Sequence, residues 1–562
     1  MELRGRPAAM TWDTAGHSSS SGSSHTNGGG AHHTEVEVTI VGDHDSPAEK
    51  EAMTSQLGGR ARGERWYGLD WIRFICIFYV VFGHTYKISQ YEAGGWRDKD
   101  EQHEPGLYIY RAVSLGYHWC VPMLFFISGI SMSIGVNSYL RKQREKERAM
   151  AFFHTALPTA REKVVTHLGL VLASCWRLSH LLAIGVLFNI IRCEVAPIEW
   201  GGEHSPIYTP ETETEWEYKL RFWAWLFDFH PEKGGFVRAG LFGIIGSQWY
   251  TLILMAFIAL TLPLVMWIKD SPETADKSQL FAVLGGFAGA SALALLCLTP
   301  MDLPDIAYFV AGLFVPMVAL AAFMYWPHRC DLRLGFFAFV ALSWVLCIRK
   351  PDPKGKLFYL QFFIFFVVGI YTGEFKSKLF DEHNTLFVFR DGNKMFVWLV
   401  FVFWNVFPIL FESMLSSIRG PYPIHKHFIR RIGSMAGTWM VVVCLLGAAF
   451  RFVNAPMVPF LYDHLYRLGL WLFVSHTLVL TLCWKYLWIP MGLSLMARFF
   501  LGCHVTILLT IALVKLGAGL EAAFKRRMLS AADGSKPKGP AASVASEAFT
   551  AAGRFRSEAG LR

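Results

Sequence analysis

Apolar residues run in long, nearly unbroken stretches along most of this chain, with short polar intervals between them. A helix needs about 20 predominantly apolar residues to cross the hydrocarbon core of a bilayer, roughly 17 to 25 in practice. Stretches of that kind centre on 69–88, 112–136, 170–192, 241–268, 279–298, 304–326, 335–348, 357–374, 395–412, 433–450, 466–487 and 495–516. The stretch 335–348 is short and reads either as a span or as a re-entrant segment. The pattern predicts an all-α fold, a polytopic transmembrane helical bundle of ten to twelve spans.

The pattern stops at both ends. Residues 1–64 are dominated by Gly, Ser, Thr and His, as in "GHSSSSGSSHTNGGGAHH". Such a stretch buries too little apolar surface to offset its ordering entropy, so a disordered tail is expected. His25, His32 and His33 suit either a metal site or, more simply, that solvated tail. Residues 519–562 read as a second, basic disordered tail, in which "KRR" opens at residue 525. Between them, residues 65–518 form one membrane domain.

Composition sharpens the assignment. Hydrophobic residues make up 53% of the chain, charged residues 17%, and there are 46 Phe and 20 Trp. Soluble domains average about 25% charged residues. A surface this apolar needs lipid around it, and no nucleic-acid partner is expected. No apolar run precedes residue 65, so the first span is expected to serve as an uncleaved signal anchor. None of the ten Cys forms a CxxC pair, which argues against a zinc site or disulfide framework, and no metal is expected.

Charge between the spans predicts orientation. The interval 139–166 holds seven Lys and Arg against three acids, whereas 194–217 holds seven Glu and no Lys or Arg. The first is expected in the cytosol, the second outside or in a lumen, and the N-terminus in the cytosol. The interval 413–432 is basic where alternation of twelve spans puts it outside. Either a span is miscounted there or its Arg residues line a cavity.

Within this apolar background a few ionisable residues stand out. The first span, "LDWIRFICIFYVVFGH", carries Asp70, Arg73 and His84. A charge at mid-membrane costs about 2.5–3.5 kcal/mol on insertion scales, so such groups face a cavity or a partner. Arg73 and His84 lie eleven residues apart, within about 20° of one helix face and about 16 Å along the axis. Asp70 sits one turn before Arg73, where the two can pair. Snorkelling of Arg73 and interfacial anchoring of His84 are the simpler alternatives.

Other spans contribute further polar groups. "VPMLFFISGISMSIG" places Ser128, Gly129, Ser131 and Ser133 in an apolar run. Small residues there allow close helix packing, the simplest role for Ser128 and Gly129. His118 lies just before it. The third span places Arg177 and His180 on one face, Gln248, Trp249 and Tyr250 open the fourth, and Ser475 and His476 sit in the middle of a late span. Trp249 also suits an interfacial belt, and a lone intramembrane His most often bonds a neighbouring helix.

An Arg, ten residues and a His within the first span resembles the membrane acyltransferase-3 family, which includes sugar O-acetyltransferases and glucan-modifying proteins. "MLFFISG" is similar to its second-helix motif, "SQWYTLILM" to its Leu-Trp-Phe-Leu segment and "LFVSHTLVL" to its late Tyr-Leu-x-His motif. The family's Arg-x-x-Arg before the third helix is here "RLSHLLAIG", with His180 in the second Arg position and no nearby Pro. The late motif lacks its Tyr. The chain thus resembles a divergent member.

The resemblance implies transfer of an acyl group, usually acetyl, from cytosolic acyl-CoA to an acceptor hydroxyl beyond the membrane, usually on a carbohydrate. Acyl-CoA would be a substrate, with no tightly bound cofactor. His84 and His476 are then the catalytic candidates, since acyl transfer to a hydroxyl needs a base and His suits neutral pH. Arg73, Arg177 and Asp70 are candidates for holding the polyanionic donor, with the basic interval 139–166 supplying further cations. Trp249, Tyr250 and Ser128 are candidates for the oxyanion or the acceptor. A proton-coupled secondary transporter and a non-catalytic protein on the same scaffold are the other classes consistent with these residues.

Overall fold

The computed structural model describes residues 66–89, 91–92, 95–96, 106–152, 158–195, 214, 216–220, 248–270, 277–298, 303–327, 331–348, 360–375, 435, 437–449 and 459–534. All of these belong to one unit, Glu64–Arg562. The expected N-terminal tail and the expected span 395–412 lie outside the described residues, as does the basic interval 413–432.

Eleven helices longer than ten residues follow one another in the described residues. They are α1 (Tyr67–Ser89), α2 (Gly106–Phe152), α3 (Ala160–Val195), α4 (Trp249–Asp270), α5 (Lys277–Leu298), α6 (Leu303–Tyr325), α7 (Leu332–Ile348), α8 (Leu360–Glu374), α9 (Gly437–Ala449), α10 (Pro459–Cys483) and α11 (Leu495–Gly534). A two-residue antiparallel ladder, β1 (Tyr91–Glu92) with β2 (Gly95–Trp96), follows α1. Six helices among the described residues are long and apolar enough to cross a membrane, and four further apolar helices are shorter. The protein is an integral membrane protein with a helical membrane domain.

Two segments differ from expectation. The basic interval that begins at residue 139 is helical rather than a loop: α2 runs without a break to Phe152, over 47 residues. The region from residue 519, expected as a tail, continues α11 as far as Gly534. The turn into α3 is set by a reciprocal cap. Thr159 Oγ1 accepts from the Glu162 amide at 3.3 Å, and the Glu162 carboxylate accepts from the Thr159 amide at 2.7 Å.

Helix α8 occupies the centre. It is apolar on every side from Phe362 to Ile370, and residues 362–373 are buried without exception. It packs against α2, α4, α6 and α7. Apolar burial does not drive helix association in lipid, because the tails are as apolar as the side chains. Close packing and interhelical hydrogen bonds do. The packing here is aromatic: Phe365 stacks on Trp439 at 4.4 Å between centroids, and Phe125 stacks on Phe362 at 5.2 Å. Where α2 crosses α8, Gly129 meets Gly369. A Cβ on Gly129 would lie 2.1 Å from the Phe366 carbonyl oxygen, and one on Gly369 would lie 2.0 Å from that of Phe126.

A second group of contacts assembles around α1, which packs on α2, α10 and α11, while α3 packs on α4 and α10. Helix α10 ends in a π-helical turn, Trp484–Trp488, and Gly492, at φ +58°, turns the chain into α11. Two basic side chains cap helix ends there. The Lys485 ammonium donates to the Val195 carbonyl at the end of α3, and Arg498 donates to the carbonyls of Leu493 and, at 3.4 Å, of Ser89 at the end of α1.

Candidate active site

Helices α1 and α10 bring together two histidines that are 392 positions apart in sequence. His84, half-buried on α1, and His476, fully buried on α10, have ring centroids 4.9 Å apart. His476 Nε2 lies 2.9 Å from His84 Nδ1. The other nitrogen of His476, Nδ1, lies 3.0 Å from the Leu472 carbonyl oxygen and 2.8 Å from that of Phe473.

The tautomers follow from this pattern. Carbonyl oxygens only accept, so His476 Nδ1 carries a hydrogen and donates to them. With both rings neutral, His476 Nε2 is the acceptor and His84 Nδ1–H the donor. His84 Nε2 is thereby left with the lone pair, the form a general base requires. His476 fixes both the tautomer and the orientation of His84. Its own helix is tied to α11 through Ser475 Oγ, which donates to the Trp471 carbonyl at 2.7 Å and lies 3.2 Å from Thr510 Oγ1.

A chain of contacts leads from the histidines into α2 and α4. The Phe473 ring lies 6.2 Å from that of His476 and 5.5 Å from that of Tyr250. Tyr250 Oη is 2.9 Å from Ser128 Oγ and donates to the Leu124 carbonyl at 3.3 Å. One turn along α2, Ser131 Oγ accepts from Arg73 Nη2 at 2.9 Å. Arg73 Nη1 donates to Asp70 at 3.2 Å. Asp70 and Arg73 pair as the spacing predicts, and both are largely shielded, with 12% and 27% of their side-chain surfaces exposed.

The remaining candidates lie elsewhere. Trp249 packs towards the centre, 5.7 Å from Phe362 and 6.3 Å from Phe125 between ring centroids. Arg177 is exposed on α3, outside this chain of contacts, and so is His180, whose Nδ1 meets its own helix at the Trp176 carbonyl. The side chain of His118 lies outside the described residues. Gln248 is buried against α3, where Gly185 leaves room for it: a Cβ there would lie 2.4 Å from the amide carbon.

Sequence reasoning missed two features. Ser131 was seen only as a small residue, although its position three residues after Ser128 put it on the same face as the Tyr250 contact. The second is a polar cluster joining three helices. The Glu374 carboxylate, at the end of α8, accepts from Ser133 and Asn137 of α2, both at 3.3 Å, and from Lys269 of α4.

A half-buried and a fully buried histidine thus meet within a helical membrane domain whose first helix also carries an Arg–Asp pair. The model of the acyltransferase-3 family, described as an acyltransferase domain, matches residues 66–370, more than half of the chain, which therefore belongs to this family of membrane acyltransferases. The match includes Arg73, His84, Ser128 and Tyr250, while His476 lies beyond it. No curated protein and no solved structure matches the chain.

Proposed function

We propose that this protein transfers an acyl group, of the acetyl class, from acyl-CoA to a hydroxyl of an acceptor on the opposite side of the membrane, a carbohydrate. The full chain would have ten to twelve spans with its N-terminus in the cytosol. The observation that carries the reading is the hydrogen bond between His476 Nε2 and His84 Nδ1, which leaves a base at His84 Nε2.

In this mechanism His84 Nε2 takes the proton from the acceptor hydroxyl as its oxygen attacks the thioester carbonyl carbon. A C–O bond forms, and the carbonyl oxygen becomes an oxyanion, to which the Tyr250 hydroxyl donates once it turns from the Leu124 carbonyl, while Ser128 donates to Tyr250 Oη. As the intermediate collapses, the C–S bond breaks. The imidazolium of His84 then returns its proton to the leaving CoA sulfur, so the products are an ester and free CoA. Arg73, held by Asp70 and Ser131, steadies the donor about 16 Å along α1 from His84, a length close to that of a pantetheine arm.

The test uses purified protein in detergent, radiolabelled acetyl-CoA and a carbohydrate acceptor. Label should pass to the acceptor, with free CoA released only when the acceptor is present. His84→Ala should lower the rate by about 10²- to 10⁴-fold, the usual contribution of a general base. Near-normal turnover by that variant would overturn the mechanism. Acceptor-independent behaviour of the native protein would overturn the transferase reading.

A further inference from the structure

A cavity of about 420 Å³ opens at the end of the bundle where α2 leaves its apolar stretch. Its walls carry Arg141, Arg144 and Arg148 from α2 and Lys269 from the end of α4, against two carboxylates, Glu145 and Glu374. The three arginines follow one another at i, i+3 and i+7 and so share one face of the helix.

The acids are already engaged. Glu374 accepts from Lys269, Asn137 and Ser133. Glu145 lies 3.8 Å from Arg141, and both of those side chains are exposed. Arg144 is anchored by one nitrogen, Nη2, which donates to the Lys269 carbonyl at 3.1 Å. Arg148 makes no hydrogen bond or ion pair with a described residue. Two guanidinium groups on one face therefore meet in a concave site with no carboxylate of their own. Like charges so spaced repel, and a bound anion relieves that repulsion.

We propose that this cavity binds a phosphoryl-bearing anion at a site separate from the acyl-transfer centre. Guanidinium forks match phosphate oxygens in pairs, and the volume holds more than one phosphoryl group. Distance sets the site apart from the histidines. Arg144 lies thirteen residues along α2 from Ser131, about 20 Å, and Arg73, which Ser131 holds, is a further 16 Å or so from His84. A donor steadied at Arg73 would still have to cross about 20 Å to reach Arg144. The phosphoryl group belongs either to the headgroup of an anionic lipid, because the cavity lies where the apolar helix surface gives way to charge, or to a free phosphorylated solute.

The experiment measures binding to the purified full-length protein by thermal shift and calorimetry, with two probes. One is inositol trisphosphate in solution. The other is detergent micelles doped with a phosphoinositide, against micelles doped with phosphatidylcholine. At least one phosphorylated probe should bind, and Arg144→Gln/Arg148→Gln should weaken it by about tenfold or more. Binding of the doped micelles alone identifies a lipid headgroup as the source, and equal binding of the soluble probe identifies a free solute. Arg148→Gln by itself removes no bond to a described residue, so it tests the site even where the double variant is unstable. Lys142→Gln/Lys146→Gln removes the same charge from α2 outside the cavity and should leave affinity unchanged. Equal weakening by both double variants, or no binding of either probe by the native protein, would overturn the proposal. The readout is independent of turnover, so failure here leaves the His84 test standing.

Discussion

At the scale of single residues, the side chain on which the proposed chemistry depends most is one that would react with nothing. His476 is fully buried, and both its nitrogens are occupied by the protein itself. In the proposed mechanism it acts only through His84, as a positioning residue that holds Nδ1–H and leaves Nε2 basic. Once His84 takes a proton, the same hydrogen bond becomes charge-assisted, and such a bond contributes about 1.5–3 kcal/mol. His476→Ala should therefore lower kcat by roughly 10- to 100-fold, since about 1.4 kcal/mol corresponds to tenfold. KM for the donor should stay near its native value. In His476→Gln the amide oxygen reaches the place of the lost Nε2 and accepts the same hydrogen, so kcat should recover most of its value. Steady-state kinetics of the two variants separate this role from a structural one, in which Gln would serve no better than Ala.

At the scale of helices, apolar pattern located the elements well and their ends poorly. The spans read at 69–88, 304–326 and 495–516 correspond to α1, α6 and the first half of α11. Where pattern failed, the cause is physical. Hydropathy reports affinity for lipid, not helicity, so the charge of "YLRKQREKERAM" marks the end of a span without marking the end of a helix. Its residues are mostly strong helix formers, so α2 continues through them to Phe152. Crossing points were legible in outline: Gly129 was read as a close-packing residue, and it touches α8 backbone to backbone. A methyl group 2.1 Å from the Phe366 carbonyl oxygen forces α2 and α8 apart along the central contact. Gly129→Ala should destabilise the purified protein by about 1–3 kcal/mol, the usual cost of overpacking, read as a lower Tm in detergent. Gly135→Ala, six residues along α2 where nothing lies within 4 Å, should leave Tm almost unchanged.

At the scale of the whole molecule, two opposite ends carry different chemistry. The α2–α4–α8 end gathers Lys269, Glu374 and the arginines of α2, whereas the other end closes with Lys485 and Arg498 on the carbonyls of α3 and α1. No linear pattern revealed the first of these clusters. Each of its members sits at the end of a span, where a charge reads as an ordinary boundary, and only the fold brings three such boundaries together. The histidine pair was legible as two separate candidates, and its contact was not, because it joins helices at opposite ends of the family's motif order. Orientation, by contrast, has a direct sequence signal in the opposed charges of 139–166 and 194–217. If the basic end faces the cytosol, the Glu-rich segment is exposed to the lumen during synthesis. The native chain has no Asn-x-Ser/Thr acceptor. Thr212→Asn completes an Asn-Glu-Thr acceptor in the Glu-rich segment, and Phe153→Asn completes an Asn-His-Thr acceptor between α2 and α3. Expressed with microsomes, the first variant should gain a glycan that an endoglycosidase removes, and the second should not. Glycosylation of the second variant alone would invert the topology and place the base of the histidine pair near the donor's side of the membrane, leaving acyl transfer across the bilayer without a route.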